Sequence, residues 1–458
     1  MLTMTLAQIA QVCAGEVRGD SVSIHSISTD SRQITPDQLF IALVGEHFDG
    51  HNYVQSVYEQ GARAVLVEHW VDIDIAQVRV DDTRIALGKI AAWQRQQFIG
   101  TVAAITGSNG KTTVKEMLSA ILRTQFDVLA TQGNFNNDIG LPLTLLRLTP
   151  EHQAIVVELG ANHPGEIAYT VGIAKPDVAL INNIGDAHIE GFGSRDGVAQ
   201  AKSEIFTQLD ERGSAIFEAN SPYQDLFVQR AAPAQCMTFA LDAPADVYTQ
   251  ARQRLSDGCY QFELWYQQNS VSVRLQVPGE HSVKNSCAAA AVALQMGISL
   301  PVIGRVLSEF SGVAGRLRRL PLSEYVTVFD DTYNANPSSF TAALDVLCRF
   351  PGEAILVAGD MGELGELAVS AHRQLGEEIH ERQLRLMATG PLMQNAVIAA
   401  GERGHYFVTQ SQLQRNLLDV LQKCQQAGQP CCVVIKGSRS SQMEQTVRFL
   451  QQQFNRVN

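Results

Sequence analysis

A glycine-containing loop at residues 106–113, with the sequence TGSNGKTT, constrains the fold more than any other part of the chain. An apolar run at residues 102–105 precedes it. Behind it, apolar residues recur at the i, i+3, i+4, i+7 spacing of an amphipathic helix. A strand, a glycine loop and a helix in this order are typical of a site for nucleotide phosphates, because the helix N-terminus directs free N–H groups at them. The pattern therefore predicts a parallel α/β domain with a nucleotide at this loop.

Individual side chains of the loop have expected tasks. Lys111 would place a positive charge at the β- and γ-phosphates, and the hydroxyl of Thr112 would bind Mg²⁺. The general pattern has a glycine where this chain has Ile105, so the loop is short. Kinases, motor proteins, switch GTPases and ligases all carry such loops, so the loop alone does not name the reaction. The remaining predicted phosphate contacts are Gly107, Ser108, Asn109, Gly110 and Thr113.

Composition narrows the possible partners and compartment. The 458 residues suggest two to four domains. The formal charge of −12, from 35 Lys and Arg against 47 Asp and Glu, argues against a nucleic-acid partner, and the one dense basic cluster, at residues 315–319, is too short to change that. The eight cysteines form no CxxC pair and are expected to be reduced thiols. With no long apolar run, we expect a soluble cytoplasmic protein without membrane insertion.

Predicted strands and helices alternate along nearly the whole chain, which indicates α/β domains with largely parallel sheets. Glycine, arginine and proline interrupt the pattern near residues 312–321, and a good helix N-cap cluster, Asp81-Asp82-Thr83, stands earlier. We predict three domains, at residues 1–82, 83–312 and 313–458.

The short loop resembles that of the Mur ligases and their relative folylpolyglutamate synthase. Further segments extend the resemblance over most of the chain, in the family's order and spacing. They lie at residues 28–32, 45–51, 133–142, 158–160, 182–188, 201–206, 279–285, 315–316, 330–337, 359–365 and 436–440. The resemblance implies a small N-terminal α/β domain that binds a UDP-sugar, a central ATP-binding domain and a Rossmann-like C-terminal domain.

The resemblance also implies a chemistry. ATP would phosphorylate a substrate carboxylate to an acyl phosphate, an amine would attack it, and the tetrahedral intermediate would expel phosphate. Two anions must approach each other, so cations must neutralise them. In the family two Mg²⁺ ions serve this purpose, and the corresponding ligands here are Thr112, Glu158, His188 and a CO₂-derived carbamate on Lys202. Without the resemblance, these last three would be an ordinary strand-end acid, a structural histidine and a solvated helix lysine.

Other binding residues are implied in the same way. Asn285, Arg316 and Asp331 would contact ATP from both sides of the second domain border, so that domain closure assembles the site. Ser31, Glu46, His47 and Phe48 would lie near uracil and diphosphate, and Asn134 and Asn137 near the muramoyl peptide. Thr332, Asn334 and Asn336 are candidate contacts to the incoming amine.

Members of the family differ in the amine that they add. The Asp-Asn-Pro-Arg signature typical of the diaminopimelate-adding members is absent. The segments at residues 133–142, 331–337 and 359–365 look like those of members that add D-alanyl-D-alanine to a UDP-linked muramoyl tripeptide. The alternatives are a sibling ligase that adds a single amino acid, a folylpolyglutamate synthase, and a nucleotide switch without ligation. We expect a monomer.

Overall fold

The structure, a computed structural model, describes residues 1–185, 189–242, 244–255, 257–350 and 352–455. A five-stranded, a nine-stranded and a six-stranded sheet follow one another along the chain, each accompanied by helices. The predicted α/β class is therefore confirmed. The exact domain borders stay predictions.

The N-terminal part builds the five-stranded sheet. Its elements are β1 (Met4–Thr5), α1 (Leu6–Cys13), β2 (Glu16–Arg18), β3 (Ser23–Ile24), β4 (Ser26–Ser28), β5 (Gln38–Ile41), β6 (Val44–Gly45), β7 (Phe48–Asp49), a 3₁₀ helix (Gly50–Tyr53), α2 (Val54–Glu59), β8 (Ala64–Val67) and β9 (Ala76–Arg79). The sheet has the order β2-β9-β8-β5-β4 and is parallel except at β2. The β6–β7 hairpin leaves Phe48 exposed.

Helix α3 (Thr83–Gln96) joins this part to the next. It begins where Asp82 accepts hydrogen bonds from the backbone N–H groups of Arg84 and Ile85, both at 2.8 Å, as expected of an N-cap aspartate. Its buried face belongs to one apolar core that also contains residues of the five-stranded and nine-stranded sheets. The first two sheets therefore share a core through this helix.

The central part builds the nine-stranded sheet. Its elements are β10 (Thr101–Thr106), α4 (Lys111–Leu122), β11 (Val128–Ala130), α5 (Gly140–Leu145), β12 (Ala154–Glu158), α6 (Glu166–Ala174), β13 (Val178–Ile181), α7 (Ile189–Phe192), α8 (Arg195–Ser203), a 3₁₀ helix (Glu204–Phe206), β14 (Ser214–Glu218), α9 (Gln224–Ala231), β15 (Gln235–Phe239), β16 (Val247–Arg254), β17 (Tyr260–Tyr266), β18 (Asn269–Arg274), α10 (Glu280–Gln295) and α11 (Leu300–Glu309). The strand order is β11-β12-β10-β13-β14-β15-β16-β17-β18, parallel as far as β16 and antiparallel beyond it.

This strand order positions the phosphate loop. The loop leaves the carboxyl end of β10, whose neighbours are β12 and β13. Ile105 is in register with Glu158, and Thr106 with Ile181. Because the carboxyl ends of parallel strands meet at one sheet edge, Glu158 and the residues after Ile181 lie on either side of the loop.

The C-terminal part builds the six-stranded sheet. Its elements are β19 (Arg318–Pro321), β20 (Val326–Asp331), α12 (Pro337–Leu347), β21 (Glu353–Ala358), a 3₁₀ helix (Gly365–Leu367), α13 (Ala368–Glu381), β22 (Arg385–Ala388), α14 (Met393–Ala400), a 3₁₀ helix (Gly401–Arg403), β23 (Gly404–Tyr406), α15 (Gln410–Gln426), β24 (Cys431–Lys436), a 3₁₀ helix (Arg439–Ser441) and α16 (Glu444–Asn455). The order is β19-β20-β24-β21-β22-β23, parallel except at β19. Asp331 and Lys436 are register partners at the ends of β20 and β24.

Small side chains let helix α10 pack closely on the central sheet. The helix contacts α4 and strands β13 to β16, and its four alanines at residues 288–291 are completely buried. Larger side chains at these positions would push the helix away from the sheet. Within the described residues, no helix is long and apolar enough to cross a membrane.

We predict that Ala289→Leu destabilises the protein by about 1–3 kcal/mol, because the added carbons have no room in a packed core. Urea unfolding followed by fluorescence measures the change. Ala427→Leu, the same substitution at an exposed position after α15, is the control and should change stability by less than about 0.5 kcal/mol. Equal unfolding curves for the two variants would contradict close packing of α10.

Candidate active site

The phosphate loop has the backbone that its glycines permit. Gly107 and Gly110 have φ values of +151° and +78°. At Gly110 a Cβ atom would stand 2.6 Å from the side-chain atoms of both Asn182 and Asn285, so glycine is required there for space as well as for conformation. Lys111, at the start of α4, donates from Nζ to the carbonyl oxygen of Gly107 at 2.7 Å. Its ammonium group therefore lies over the loop.

Three asparagine side chains support the loop from below. Asn183 accepts from the backbone N–H of Asn109 at 2.9 Å. Asn182 donates to the carbonyl oxygen of Asn109 and to Oδ1 of Asn285, both at 2.9 Å. Asn285, predicted to contact nucleotide, thus lies against the phosphate loop on helix α10. These bonds fix the loop before any phosphate binds.

Glu158 is buried at the end of β12 beside the loop. Oε2 accepts from the Thr112 hydroxyl at 2.9 Å, and Oε1 accepts from the amide of Asn136 at 2.8 Å. A carboxylate and a hydroxyl held together at a phosphate loop are the oxygen ligands that Mg²⁺ prefers, so these residues fit the ion. Among the described residues no group of three or more His, Cys, Asp or Glu side chains forms a metal site, and the predicted ligand His188 lies outside them.

Lys202, near the end of α8, is completely buried. The interpretation from sequence alone, a solvated helix lysine, is therefore wrong. Nζ has no hydrogen-bond partner among the described residues and lies 5.9 Å from the centre of the Phe192 ring. Burial lowers the pKa of Lys202 well below its usual value, and the positive charge of Lys111 lowers it further. The side chain is thus an amine that burial drives towards its neutral form.

The C-terminal part supplies a cation to the phosphate loop. Arg316 donates from Nη2 to the Thr112 hydroxyl at 3.3 Å, and its guanidinium group stacks 3.9 Å from the centre of the Tyr333 ring. Nε of Arg316 is buried without a hydrogen-bond partner in the described part of the chain. A cation fixed in this way, with a donor to spare, suits an anionic ligand.

A second contact joins the two parts at Asn109. Its Nδ2 donates to the Ser338 hydroxyl, and its Oδ1 accepts from Nδ2 of Asn336, both at 2.9 Å. Asn336 is also the N-cap of α12, where its Oδ1 accepts from the backbone N–H of Ser339 at 2.9 Å. Asn336 therefore caps helix α12 and is also hydrogen-bonded to Asn109 of the phosphate loop. We call this contact the Asn109–Asn336 latch.

These elements surround a cavity of about 710 Å³. Most of the predicted ATP, metal, peptide and amine residues line it, namely Ser108, Asn109, Gly110, Lys111, Thr113, Asn134, Asn137, Glu158, Asn285, Arg316, Asp331, Asn334 and Asn336. Sequence reasoning assigned no role to other lining residues, among them Asn162, Arg195, His281, Tyr333, Glu363 and Lys436. Several of these lie inside the segments that resemble the Mur ligases, and that position is the sequence signal that could have identified them.

Some predicted residues lie elsewhere. Thr332 is buried and donates its hydroxyl to Asp330 at 2.6 Å, so it does not reach the cavity. Glu46, His47 and Phe48 are exposed on the β6–β7 hairpin and do not line the cavity, nor does Ser31, whose carbonyl oxygen accepts from Gln60 at 3.0 Å. The proposed UDP surface is therefore distinct from the phosphate cavity.

Comparison with known proteins agrees with this arrangement. Models of the Mur ligase family catalytic domain, the Mur ligase middle domain and the Mur ligase glutamate ligase domain match residues 23–95, 105–293 and 315–439. The UDP-N-acetylmuramoyl-tripeptide–D-alanyl-D-alanine ligase of Escherichia coli is 41% identical over 99% of both chains, and the Bacillus subtilis protein of that name is 34% identical over 98% of this chain and 99% of its own. The chain belongs to the Mur ligase family.

Solved structures support the same assignment. A crystal structure of MurF from Acinetobacter baumannii superposes with a TM-score of 0.92, at 39% identity and covering 98% of this chain and 99% of that one. MurF from Thermotoga maritima in complex with ADP has a TM-score of 0.84 at 27% identity, covering 94% and 98%. The predicted enzyme class, an ATP-dependent amide-bond ligase, and the three-domain Mur ligase architecture are thus confirmed.

In this Mur ligase, we predict that Asn336→Asp raises the KM for ATP severalfold. Aspartate can still cap α12, but it cannot donate to Asn109, and loss of one such bond costs about 1 kcal/mol. Steady-state phosphate release measures KM, and thermal unfolding checks that the helix cap survives. Asn416→Asp, the same change on the exposed face of α15, is the matched control.

Asn109→Ala removes the other side of the latch. Because both variants break one interaction, the double variant should have about the ATP KM of the worse single variant. Two results would contradict the latch. One is an ATP KM in the double variant that rises by the product of the two single effects, and the other is an ATP KM that neither single change alters.

Proposed function

We propose that this Mur ligase joins D-alanyl-D-alanine to a UDP-N-acetylmuramoyl tripeptide, with conversion of ATP to ADP and phosphate. The observation that carries the proposal is the end-to-end identity with ligases of that name, 41% over 99% of both chains in one case. The cavity supports it, because the phosphate loop meets the C-terminal loops there. One wall can hold ATP while the other receives the amine.

The chain's own residues explain how two anions can meet. The substrate carboxylate must attack the γ-phosphorus of ATP, forming a C–O–P linkage as ADP leaves. Lys111 and Arg316 place two cations at the loop and offset the repulsion. Thr112 and Glu158 would hold Mg²⁺, which when bound supplies further positive charge to the phosphates. Asn136 orients Glu158 for this task.

The second half of the reaction needs an amine rather than water. The nitrogen of the dipeptide forms a bond to the acyl carbon, and the C–O bond to phosphate breaks. Asn334 and Asn336 line the cavity on the C-terminal side and are the proposed amine-side residues. Asn336 also donates a hydrogen bond to Asn109 of the phosphate loop. This hydrogen bond connects the proposed nucleotide site to the proposed amine site.

We propose that Lys202 is carbamylated. A neutral buried amine can attack CO₂, forming an N–C bond and losing a proton, and the product is an anion able to help bind a metal ion. Burial without a partner supports this state, because an uncompensated buried ammonium group is costly. His188 is the partner ligand implied by the family.

Two alternatives remain distinguishable. A sibling ligase would use a single amino acid as its amine, and a nucleotide switch would release no phosphate in response to an amine. A folylpolyglutamate synthase of Mycobacterium tuberculosis has a TM-score of 0.63 at 17% identity, which shows a shared fold alone.

The roles of Ser31, Glu46, His47 and Phe48 at UDP and of Asn134 and Asn137 at the peptide are part of the proposal. The monomeric state and cytoplasmic location stay predictions.

The proposed function predicts phosphate release that requires ATP, the UDP-muramoyl tripeptide and D-alanyl-D-alanine together, with a pentapeptide product by mass spectrometry. Parallel reactions with D-alanine, diaminopimelate and L-lysine serve as controls. Stimulation by one of these amino acids in place of the dipeptide would indicate a sibling ligase. Phosphate release that no amine alters would refute ligation.

The carbamate proposal predicts that Lys202→Ala falls below about 1% of wild-type kcat, because removing charge at a metal site costs several kcal/mol. Short carboxylates such as acetate should restore part of the activity by occupying the vacated space. Wild type and Lys423→Ala, which removes an exposed lysine, should gain nothing from acetate. Normal activity in Lys202→Ala, or no rescue at any carboxylate concentration, would count against the carbamate.

A further inference from the structure

A buried ion pair lies on the C-terminal side of the cavity. Lys436 ends β24 and Asp331 ends the neighbouring strand β20, and the two are register partners. Nζ of Lys436 donates to Oδ2 of Asp331 at 2.6 Å, and the two residues are only 2% and 8% exposed. Both residues also line the cavity, so the pair stands at the edge of the proposed active site.

Lys436 makes a second hydrogen bond in the same place. Its Nζ donates to the backbone carbonyl oxygen of Asn334 at 3.0 Å and lies 5.6 Å from the centre of the Phe340 ring. Asn334 is a proposed amine-side residue, whereas Asp331 is a predicted ATP-binding residue. The ammonium group of Lys436 therefore binds one residue of the proposed nucleotide site and one residue of the proposed amine site.

The carboxylate of Asp331 is fixed from two directions. While Oδ2 is held by Lys436, Oδ1 accepts from the backbone N–H of Leu317 at 3.2 Å, next to Arg316. These contacts set the plane of the carboxylate, which decides where it can accept hydrogen bonds from hydroxyl groups of a ligand. Removing Lys436 would leave Oδ2 without its partner and free the carboxylate to turn.

Stability alone does not explain such a pair. Replacing a buried ion pair by apolar side chains of similar size is often neutral or stabilising. Apolar side chains at positions 331 and 436 could therefore hold the two strands together equally well. Burial lowers the pKa of Lys436, and the Asp331 carboxylate opposes that shift. A costly charge kept at the edge of a substrate cavity is better explained by the position that it gives to its partners.

We propose that Lys436 is a positioning residue for both substrates: it orients Asp331 for the nucleotide and holds the backbone at Asn334 for the incoming amine. This rests on the proposed function for the identity of the amine, but the nucleotide half does not depend on it. Lys436 itself need not touch either substrate.

The first test is Lys436→Met, which keeps an unbranched apolar chain against Phe340 and removes the charge. We expect the KM for ATP and the KM for D-alanyl-D-alanine each to rise about tenfold, as for a buried acceptor that loses its partner, while kcat falls less than about threefold. The Kd for ADP, measured by calorimetry without the other substrates, should rise with the ATP KM. A fall in kcat with both KM values unchanged would overturn the proposal.

Asp331→Asn separates the two halves of the proposed role. It should raise the KM for ATP and leave the KM for the dipeptide near the wild-type value. If Lys436 acts on ATP through Asp331, the Asp331→Asn/Lys436→Met variant should have the ATP KM of Asp331→Asn alone. ATP effects that multiply in the double variant, or a dipeptide KM that Lys436→Met does not change, would overturn the corresponding half.

Val434→Ala controls for loss of stability. Val434 is a completely buried residue two positions earlier on β24, so its truncation loosens the same strand. It should lower the unfolding temperature at least as much as Lys436→Met without raising either KM. If Val434→Ala reproduces the KM changes, Lys436 has only a structural role.

If Lys436→Met does not fold, Lys436→Gln, which retains a donor, replaces it and should show a smaller rise in both KM values; unchanged KM values there would overturn the proposal. Wild-type enzyme inactive with D-alanyl-D-alanine would count against the proposed function. The ADP Kd of the variants would still decide the nucleotide half.

Discussion

The phosphate loop depends on side-chain amides of the neighbouring strand end as well as on backbone hydrogen bonds such as Ser108 N–H to the Asn183 carbonyl oxygen at 3.0 Å. With Gly107 and Gly110 in conformations open to glycine, the loop would be mobile if nothing held it. Asn182 and Asn183, which follow β13, bind the backbone of Asn109 from the neighbouring strand end. The parallel strand order β10-β13 thus supplies the support, and the anion site is formed before its ligand arrives.

The C-terminal part completes this site through short polar contacts. Arg316 reaches the hydroxyl of Thr112, and Asn336 reaches the side chain of Asn109. Hydrogen bonds of this kind contribute about 1 kcal/mol each, much less than an apolar interface. Bonds of this strength can break and re-form when a substrate binds, which is a condition for ligand-driven domain closure.

The sequence predicted the enzyme class and the position of the phosphate loop, but not the contacts between distant elements. The phosphate loop follows from a local pattern, because a strand, a glycine turn and a helix specify their own geometry, whereas the metal role of Glu158 is implied only by the family resemblance. Burial of Lys202 and the inward turn of Thr332 depend on packing between elements distant in sequence, which a single sequence does not encode locally. Asn336 was predicted near the amine, and its bond to Asn109 was not foreseen because the partners are 227 residues apart.

In the described part of the chain three lysines are almost completely buried, and their surroundings differ in a way that bears on their chemistry. Lys115 binds Glu116 and the Thr131 carbonyl oxygen, both at 2.6 Å, and Lys436 binds Asp331 and the Asn334 carbonyl oxygen. Each of these ammonium groups has a carboxylate to balance its charge. Nζ of Lys202 has no hydrogen-bond partner among the described residues, neither a carboxylate nor a carbonyl oxygen. Since an unpaired buried charge is far more costly than a paired one, Lys202 is the lysine of the three that gains most by losing its charge or changing its sign.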